Sequence, residues 1–138
     1  MKQLFVTLAL AVAAFSANAQ GGAEFKFKNG DVHDFGTIKE GPVAEYAFEF
    51  TNVGKEPLII VDAKADCGCT TPDWPKQPIL PGKSAAITVR YTTQGHVSPF
   101  NKHIYVKSNA KVPGEKERYE LTIKGTVVAA KEPEVGKN

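Results

Sequence analysis

Both cysteines of the chain lie in one short stretch, ADCGCTTPDWP, where only Gly68 separates Cys67 from Cys69. Two sulfurs at this spacing can form a local disulfide, pack as small apolar groups at the end of a strand, or bind a soft metal such as Cu(I) or Zn(II). In an extended chain their Cα atoms would be about 6.6 Å apart, near the upper limit for a disulfide, so a bond needs the bend that a glycine permits. The local disulfide is our first interpretation, and the inert pair and the soft-metal site stay open as alternatives.

Two accessory residues could add to a site at these sulfurs. Trp74 follows them in a proline-rich stretch and is either an aromatic platform for a ligand or, as we favour, a lid over the open end of the fold. Histidine is a common metal ligand, and His96, which lies in a predicted loop, could supply a third one. His33 and His103 fall in predicted strands, and we interpret both as strand-surface residues. Because two cysteines alone do not close a tetrahedral site, we predict no cofactor and assign no metal ligand.

The rest of the sequence lacks the usual signs of an enzyme. We find no nucleophile paired with a base, no pair of carboxylates in a recognisable motif and no nucleotide-binding loop, so we assign no catalytic residue. Asp34-Phe35-Gly36 matches the magnesium-binding triplet of protein kinases, but without a glycine-rich phosphate loop it is more simply a core phenylalanine followed by a turn. The sequence therefore predicts a non-enzymatic protein.

The first residues have the features of a secretory signal peptide, which we place at residues 1–19. Lys2 supplies the positive charge, an apolar run covers residues 4–15, and Ala17-Asn18-Ala19 is a small-x-small cleavage site. The run is shorter than the roughly 20 residues that a bilayer span needs, so we expect cleavage near Ala19-Gln20 and no membrane span in the mature chain. A periplasmic or secreted location follows, and disulfides persist in such compartments.

Composition and length limit what the remaining chain can be. The whole chain has 17 basic and 15 acidic residues, a balance that argues against binding nucleic acid through a basic face. Residues 20–129 are enough for one domain with one core. Residues 130–138 show no apolar period, and we predict a flexible C-terminal tail there.

A period of two dominates the domain and predicts strands. In residues 45–51 the aromatic side chains share one face, while the continuous apolar run at residues 58–61 predicts a strand covered on both sides. Asn29-Gly30-Asp31 predicts a tight hairpin between strands at residues 25–27 and 32–35. About seven short strands without helices predict an all-β fold, an immunoglobulin-like two-sheet β-sandwich. The predicted core residues are Phe48, Phe50, Leu58, Ile60, Ile87, Val89, Ile104, Val106, Leu121 and Ile123.

A family resemblance rests on motifs spread over nearly the whole mature chain. The motifs are Asp34-Phe35-Gly36 with Gly41, Phe48-x-Phe50-Thr51-Asn52 with Gly54, Cys67-Gly68-Cys69-Thr70, Pro81-Gly82 and Phe100-Asn101-Lys102. Matched in this order, they resemble the exported bacterial family DUF1573. The resemblance implies an immunoglobulin-like β-sandwich akin to modules of cilium and sperm-protein scaffolds, and it implies no established catalytic residues. The chain departs from the family pattern at His96, where Arg or Lys commonly follows the glycine.

For function, these observations favour an exported, non-enzymatic β-sandwich module that binds a protein partner or serves in a scaffold. An exposed edge strand is the expected docking surface, because its unpaired backbone groups can accept a strand from another chain. The alternative is a thiol-redox or soft-metal protein that uses the Cys67-Gly68-Cys69 motif.

Overall fold

The computed structural model describes residues 22–130, so the predicted signal peptide and residues 131–138 of the predicted tail lie outside the described part. The chain forms eight strands and one short 3₁₀ turn at Pro113–Glu115. The strands are β1 (Phe25–Phe27), β2 (Val32–Lys39), β3 (Ala44–Asn52), β4 (Ile60–Ala65), β5 (Thr70–Asp73), β6 (Ser84–Tyr91), β7 (Pro99–Ser108) and β8 (Tyr119–Val128). Within the described range, no helix has the length and hydropathy that a bilayer crossing needs.

The strands form two four-stranded sheets with the orders β1-β3-β6-β5 and β2-β8-β7-β4. All neighbours are antiparallel except β2 and β8, which run parallel. The sheets pack face to face, which confirms the predicted all-β, immunoglobulin-like two-sheet sandwich, with eight strands rather than about seven. The edge strands are β1 and β5 in one sheet and β2 and β4 in the other.

The core lies between the two sheets and follows the period-two pattern of the sequence. In β3, for example, Phe48 and Phe50 are buried while Glu49 between them is exposed. All the predicted core residues are buried, which confirms that prediction: Phe48, Phe50, Leu58, Ile60, Ile87, Val89, Ile104, Val106, Leu121 and Ile123. Tyr91 and Phe100, which the prediction omitted, add a buried stacked pair with ring centroids 4.2 Å apart.

The prediction of a hairpin at Asn29-Gly30-Asp31 is wrong. Strand β1 pairs with β3, with Phe27 opposite Phe50, whereas β2 pairs with β8, with His33 opposite Ile123. The turn does form, and Gly30 adopts the positive φ of 78° that such a turn requires. The turn leads the chain from one sheet to the other, because β1 and β2 do not pair with each other and each pairs with a strand later in the sequence.

The prediction of a strand covered on both sides at residues 58–61 is also wrong. Leu58 and Ile60 are buried, but Ile59 is 44% exposed and Val61 is 62% exposed. The reason is the two-sheet architecture, in which each sheet meets the core with one face only, so alternate side chains of this segment point to solvent. A register shift against β7 between Ile60 and Asp62 further turns Val61 toward solvent.

Asn52, at the end of β3, is a fully buried polar residue that joins three segments. Its Oδ1 accepts hydrogen bonds from the backbone N–H groups of Glu24 (3.2 Å) and Gly54 (3.0 Å). Its Nδ2 donates to the backbone carbonyls of Glu56 (2.7 Å) and Ile79 (2.9 Å). All four backbone groups lie near one end of the sandwich, which this single amide therefore holds together.

Three of the connections between strands lie together at the end of the sandwich opposite to Asn52, as the strand registers show. Strands β3 and β5 both begin opposite Tyr91, where β6 ends. At the same end β2 stops beside the end of β8, β7 begins and β4 ends. The connections at residues 40–43, 66–69 and 92–98 therefore lie together, and we call this group the loop end.

Candidate functional site

A disulfide joins Cys67 and Cys69 at the loop end. Their Cα atoms are 5.3 Å apart, closer than the separation of about 6.6 Å in an extended strand, so the chain bends at Gly68. Because β4 ends at Ala65 and β5 begins at Thr70, the bond lies in the turn that connects an edge strand of one sheet with an edge strand of the other.

Hydrogen bonds from both sheets hold the ends of this turn. On the β7 side, Asp66 N–H donates to the His103 carbonyl (3.1 Å), and His103 N–H donates to Asp66 Oδ2 (3.0 Å). On the β6 side, Thr92 N–H donates to the Cys69 carbonyl (2.8 Å). The buried Thr70 hydroxyl oxygen lies 3.7 Å from the sulfur of each cysteine. The disulfide is therefore carried on a turn whose backbone is fixed independently of the sulfur–sulfur bond.

The other two connections of the loop end are also tied to each other. The buried Thr93 hydroxyl donates to the Pro42 carbonyl (2.8 Å) and accepts from Gly41 N–H (2.9 Å). Gly95 N–H donates to Glu40 Oε2 at 2.8 Å. The loop end is thus a hydrogen-bonded cluster rather than three separate loops.

In the described part of the chain, neither accessory candidate forms a hydrogen bond to the sulfurs, whose hydrogen-bond partner is the Thr70 hydroxyl. His96 is exposed, with its ring centroid 6.0 Å from that of Tyr91. Trp74 follows β5 on the side away from the disulfide, where it is half-buried against the core and lies under the Lys76 ammonium at 3.2 Å from the ring centroid. Within residues 22–130, no group of three or more His, Cys, Asp or Glu is placed to hold a metal ion.

A second candidate site is an open edge of β3, which the sequence did not predict. Strand β1 pairs only with residues 50–52 of β3, so residues 44–48 have a strand neighbour, β6, on one side alone. Lys28 N–H donates to the Glu49 carbonyl, which shows that this residue's backbone groups point toward the β1 side. Because this direction alternates along a strand, the N–H and C=O groups of Glu45 and Ala47 point to the open edge.

Half-buried side chains line the gap beside this edge, between β3 and β2. The His33 and Tyr46 rings stack with centroids 3.5 Å apart and planes inclined by 8°, and Phe35 packs edge-on against His33 at 4.6 Å. With Ile38 and Ala44, which are also half-buried, these residues define what we call the β2–β3 seam. Burial lowers the pKa of His33, and the neighbouring Asp34 carboxylate opposes that shift.

The position of His33 corrects its interpretation as a strand-surface residue. It lies in phase with Phe35 on β2, so both side chains face the gap between the sheets. The same alternation was visible in the sequence and would have identified it. His103, in contrast, is a half-exposed strand-surface residue, with Nδ1 2.7 Å from Glu120 Oε1 and 3.2 Å from Thr122 Oγ1.

Comparisons with solved structures find the same fold in proteins of low sequence identity. A crystal structure of a protein of unknown function from Porphyromonas gingivalis W83 is similar with a TM-score of 0.66 and 18% identity, over 82% of this chain and 51% of that chain. The VesB protease of Vibrio cholerae is similar with a TM-score of 0.58 and 13% identity, over 75% of this chain and 32% of that chain. The ASH/PapD-like domain 7 of human CEP192 is similar with a TM-score of 0.57 and 10% identity, over 80% of this chain and 87% of that chain.

These similarities extend to the fold alone, and this chain spans about half the length of the Porphyromonas protein. Among curated proteins, no significant relative was found. A family model described as "Protein of unknown function (DUF1573)" matches residues 25–127, a range that contains both cysteines, the open edge of β3 and the β2–β3 seam. On the basis of this match, the chain belongs to the DUF1573 family.

Proposed function

We propose that this protein is an exported, non-enzymatic binding module that takes up an extended segment of a partner protein along the open edge of β3. The observation that carries the proposal is the unpaired stretch at residues 44–48, where the backbone groups of Glu45 and Ala47 lack a strand neighbour in the described part of the chain. Export rests on the signal peptide features of residues 1–19, and the absence of an enzymatic role rests on the lack of catalytic motifs in the sequence.

The other edges of the sandwich carry features that discourage strand addition. Strand β5 is four residues long and includes Pro72, while β1 has only three residues. Register shifts interrupt β2 between Asp34 and Thr37 and β4 between Ile60 and Asp62. Prolines, bulges and short edges are common protections against pairing with another chain. The stretch at residues 44–48 has neither a proline nor a register shift, so it is the edge best suited to accept a strand.

The chemistry of the edge defines the partner. The open stretch has room for about five residues, or about 17 Å of extended chain. Side chains that point inward from an added strand would lie against the His33–Tyr46 stack and should be apolar. Side chains that point outward would lie beside Glu45 and Ala47 on the exposed face of the sheet, where Glu45 is already paired with Arg90 at 2.8 Å, and should be polar. The expected partner is an extended segment in which apolar residues alternate with polar ones.

Selection of peptides from a library of extended sequences, with the mature protein as bait, tests the proposal. We expect enriched peptides with this alternation, and Ala47→Pro should weaken their binding by about tenfold or more because proline removes the N–H group that faces the edge. Ala47→Ser is the matched control, since it keeps that N–H, and it should bind like the wild type. Because Ala47 N–H makes no bond to β6, the proline variant should remain folded, which circular dichroism can verify.

Two results would contradict the proposal. Peptides that bind the folded Ala47→Pro variant as tightly as the wild type would place the binding surface elsewhere. A selection that enriches no extended peptide over the background would remove strand addition as the function.

A further inference from the structure

The position of the Cys67–Cys69 bond is poorly suited to stabilising the fold. A disulfide stabilises mainly by restricting the unfolded chain, and the effect grows with the length of the loop that it closes. Here the sequence separation is only 2. Hydrogen bonds to Asp66 and Cys69 already fix both ends of the turn to β7 and β6. The bond can therefore open without release of either sheet.

The surroundings of the two sulfurs favour exchange with an external thiol. Both cysteines are half-buried, and the space around Gly68 is open, with no heavy atom within 4 Å of the position that a Cβ would occupy. Cys69 packs against the core cluster whereas Cys67 does not belong to it, so the Cys67 sulfur is the easier one to reach. The Thr70 hydroxyl, 3.7 Å from each sulfur, can donate a hydrogen bond to a sulfur that becomes a thiolate.

From this geometry we infer that Cys67 and Cys69 form a thiol–disulfide exchange site that accepts electrons from the paired thiols of an exported protein. The site is separate from the open edge of β3 and does not depend on peptide binding there. A half-accessible bond that is not needed for the fold has the features of a labile disulfide rather than a structural one.

The exchange takes two steps that balance in atoms and electrons. A thiolate of the partner attacks the Cys67 sulfur, the Cys67–Cys69 bond breaks, and Cys69 leaves as a thiolate that accepts a hydrogen bond from Thr70. The second thiolate of the partner then attacks the partner's first sulfur, which is bonded to Cys67 in the mixed disulfide. This step forms the partner's disulfide and releases Cys67. The partner loses two electrons and two protons and gains a disulfide, and the two cysteines gain both electrons and both protons as thiols.

Reduction of the mature protein by glutathione tests this inference, with intact mass and alkylation as the readout. We expect a disulfide in the untreated protein that millimolar reduced glutathione opens in the native state, without a change in the circular dichroism spectrum. Thr70→Val should slow the reduction by about tenfold, because the leaving thiolate loses its hydrogen-bond donor. Thr70→Ser keeps the hydroxyl and should react at the wild-type rate, as should Thr71→Val, whose exposed side chain lies outside the site.

Trapping variants test which sulfur is attacked. With oxidised glutathione, Cys69→Ser should form an adduct at Cys67 faster than Cys67→Ser forms one at Cys69. Three results would overturn the inference: two freely alkylated thiols in the untreated protein, a disulfide that glutathione reduces only after unfolding in urea, or equal rates of reduction for Thr70→Val and the wild type. Peptide binding at the β3 edge should persist in the Cys67→Ser/Cys69→Ser double variant, which separates this outcome from that of the proposed function.

Discussion

The imidazole of His33 lies parallel to the phenol ring of Tyr46, with ring centroids 3.5 Å apart and planes inclined by 8°. The two residues come from β2 and β3, which belong to different sheets. Their contact closes the side of the sandwich that the short β1 does not cover. The stack is therefore part of the fold, and it is also the surface that inward-pointing side chains of an added strand would contact.

Stability should depend on pH through His33. Burial lowers the pKa of His33 below its ordinary value of 6.5 in the folded state. Well above pH 6.5 the ring is neutral in both the folded and the unfolded state, so the stability of the fold no longer depends on pH through His33. Below that pH the unfolded chain binds the proton more readily, so the free energy of unfolding should fall as pH drops from 6.5 toward the lowered pKa.

Urea unfolding at about pH 7.5 and about pH 5 measures this dependence. His33→Phe keeps an aromatic ring against Tyr46 and removes the titrating group, so it should lose less stability than the wild type between the two conditions. An equal loss in both proteins would show that His33 does not titrate in this environment.

Removal of the Asn52 amide should be strongly destabilising. Asn52→Ala would leave the N–H groups of Glu24 and Gly54 and the Glu56 carbonyl without this partner, while the Ile79 carbonyl would keep its bond from Leu58 N–H. Since an unpaired group shielded from water costs about 1–3 kcal/mol, with some recovered by water, we expect a loss of about 2–4 kcal/mol in the free energy of unfolding. The measurement is chemical denaturation followed by circular dichroism.

Asn109→Ala is the matched control for this variant. The amide of Asn109 also bonds two backbone groups, Ile59 N–H and the Pro57 carbonyl, but it is exposed. Water can replace it, so its loss should cost only about 1 kcal/mol. Equal costs for the two variants would contradict the role assigned to Asn52.

Two glycines should respond differently to substitution by alanine. A Cβ at Gly54 would lie 2.7 Å from Ala23 Cα and 2.7 Å from Glu24 N, and neither backbone atom can move without disturbing the entry to β1. We expect Gly54→Ala to cost on the order of 2 kcal/mol. A Cβ at Gly68 meets no atom within 4 Å, so Gly68→Ala should keep the fold and its melting temperature within a few degrees. A comparison of thermal unfolding checks both, and equal melting temperatures would contradict the close packing at Gly54.

The sequence predicts well those features that depend on local alternation. The inward faces of β3 and β6 follow from a period of two, because successive side chains of a strand point to opposite faces. Asn52 and His33 are in phase with buried or half-buried aromatic residues, so their inward positions were accessible to the same reasoning.

Features that depend on distant partners could not be read in this way. The parallel pairing of β2 with β8 joins His33 with Ile123, and no local signal distinguishes it from a hairpin with β1. The open edge of β3 exists because β1 stops after Phe27, a length that only the assembled sheet defines. The motif around Cys67 indicated a bend, but its position between the two sheets follows from the topology.

Hydrogen exchange of the β3 amides tests the central claim most directly. Because the N–H groups of Glu45 and Ala47 face the open edge, they should exchange much faster in the free protein than those of Tyr46 and Phe48, which face β6. A selected peptide at saturating concentration should slow exchange at Glu45 and Ala47 and leave Tyr46 and Phe48 nearly unchanged. Slow exchange at Glu45 and Ala47 in the free protein, or fast exchange that a bound peptide does not alter, would contradict strand addition at this edge.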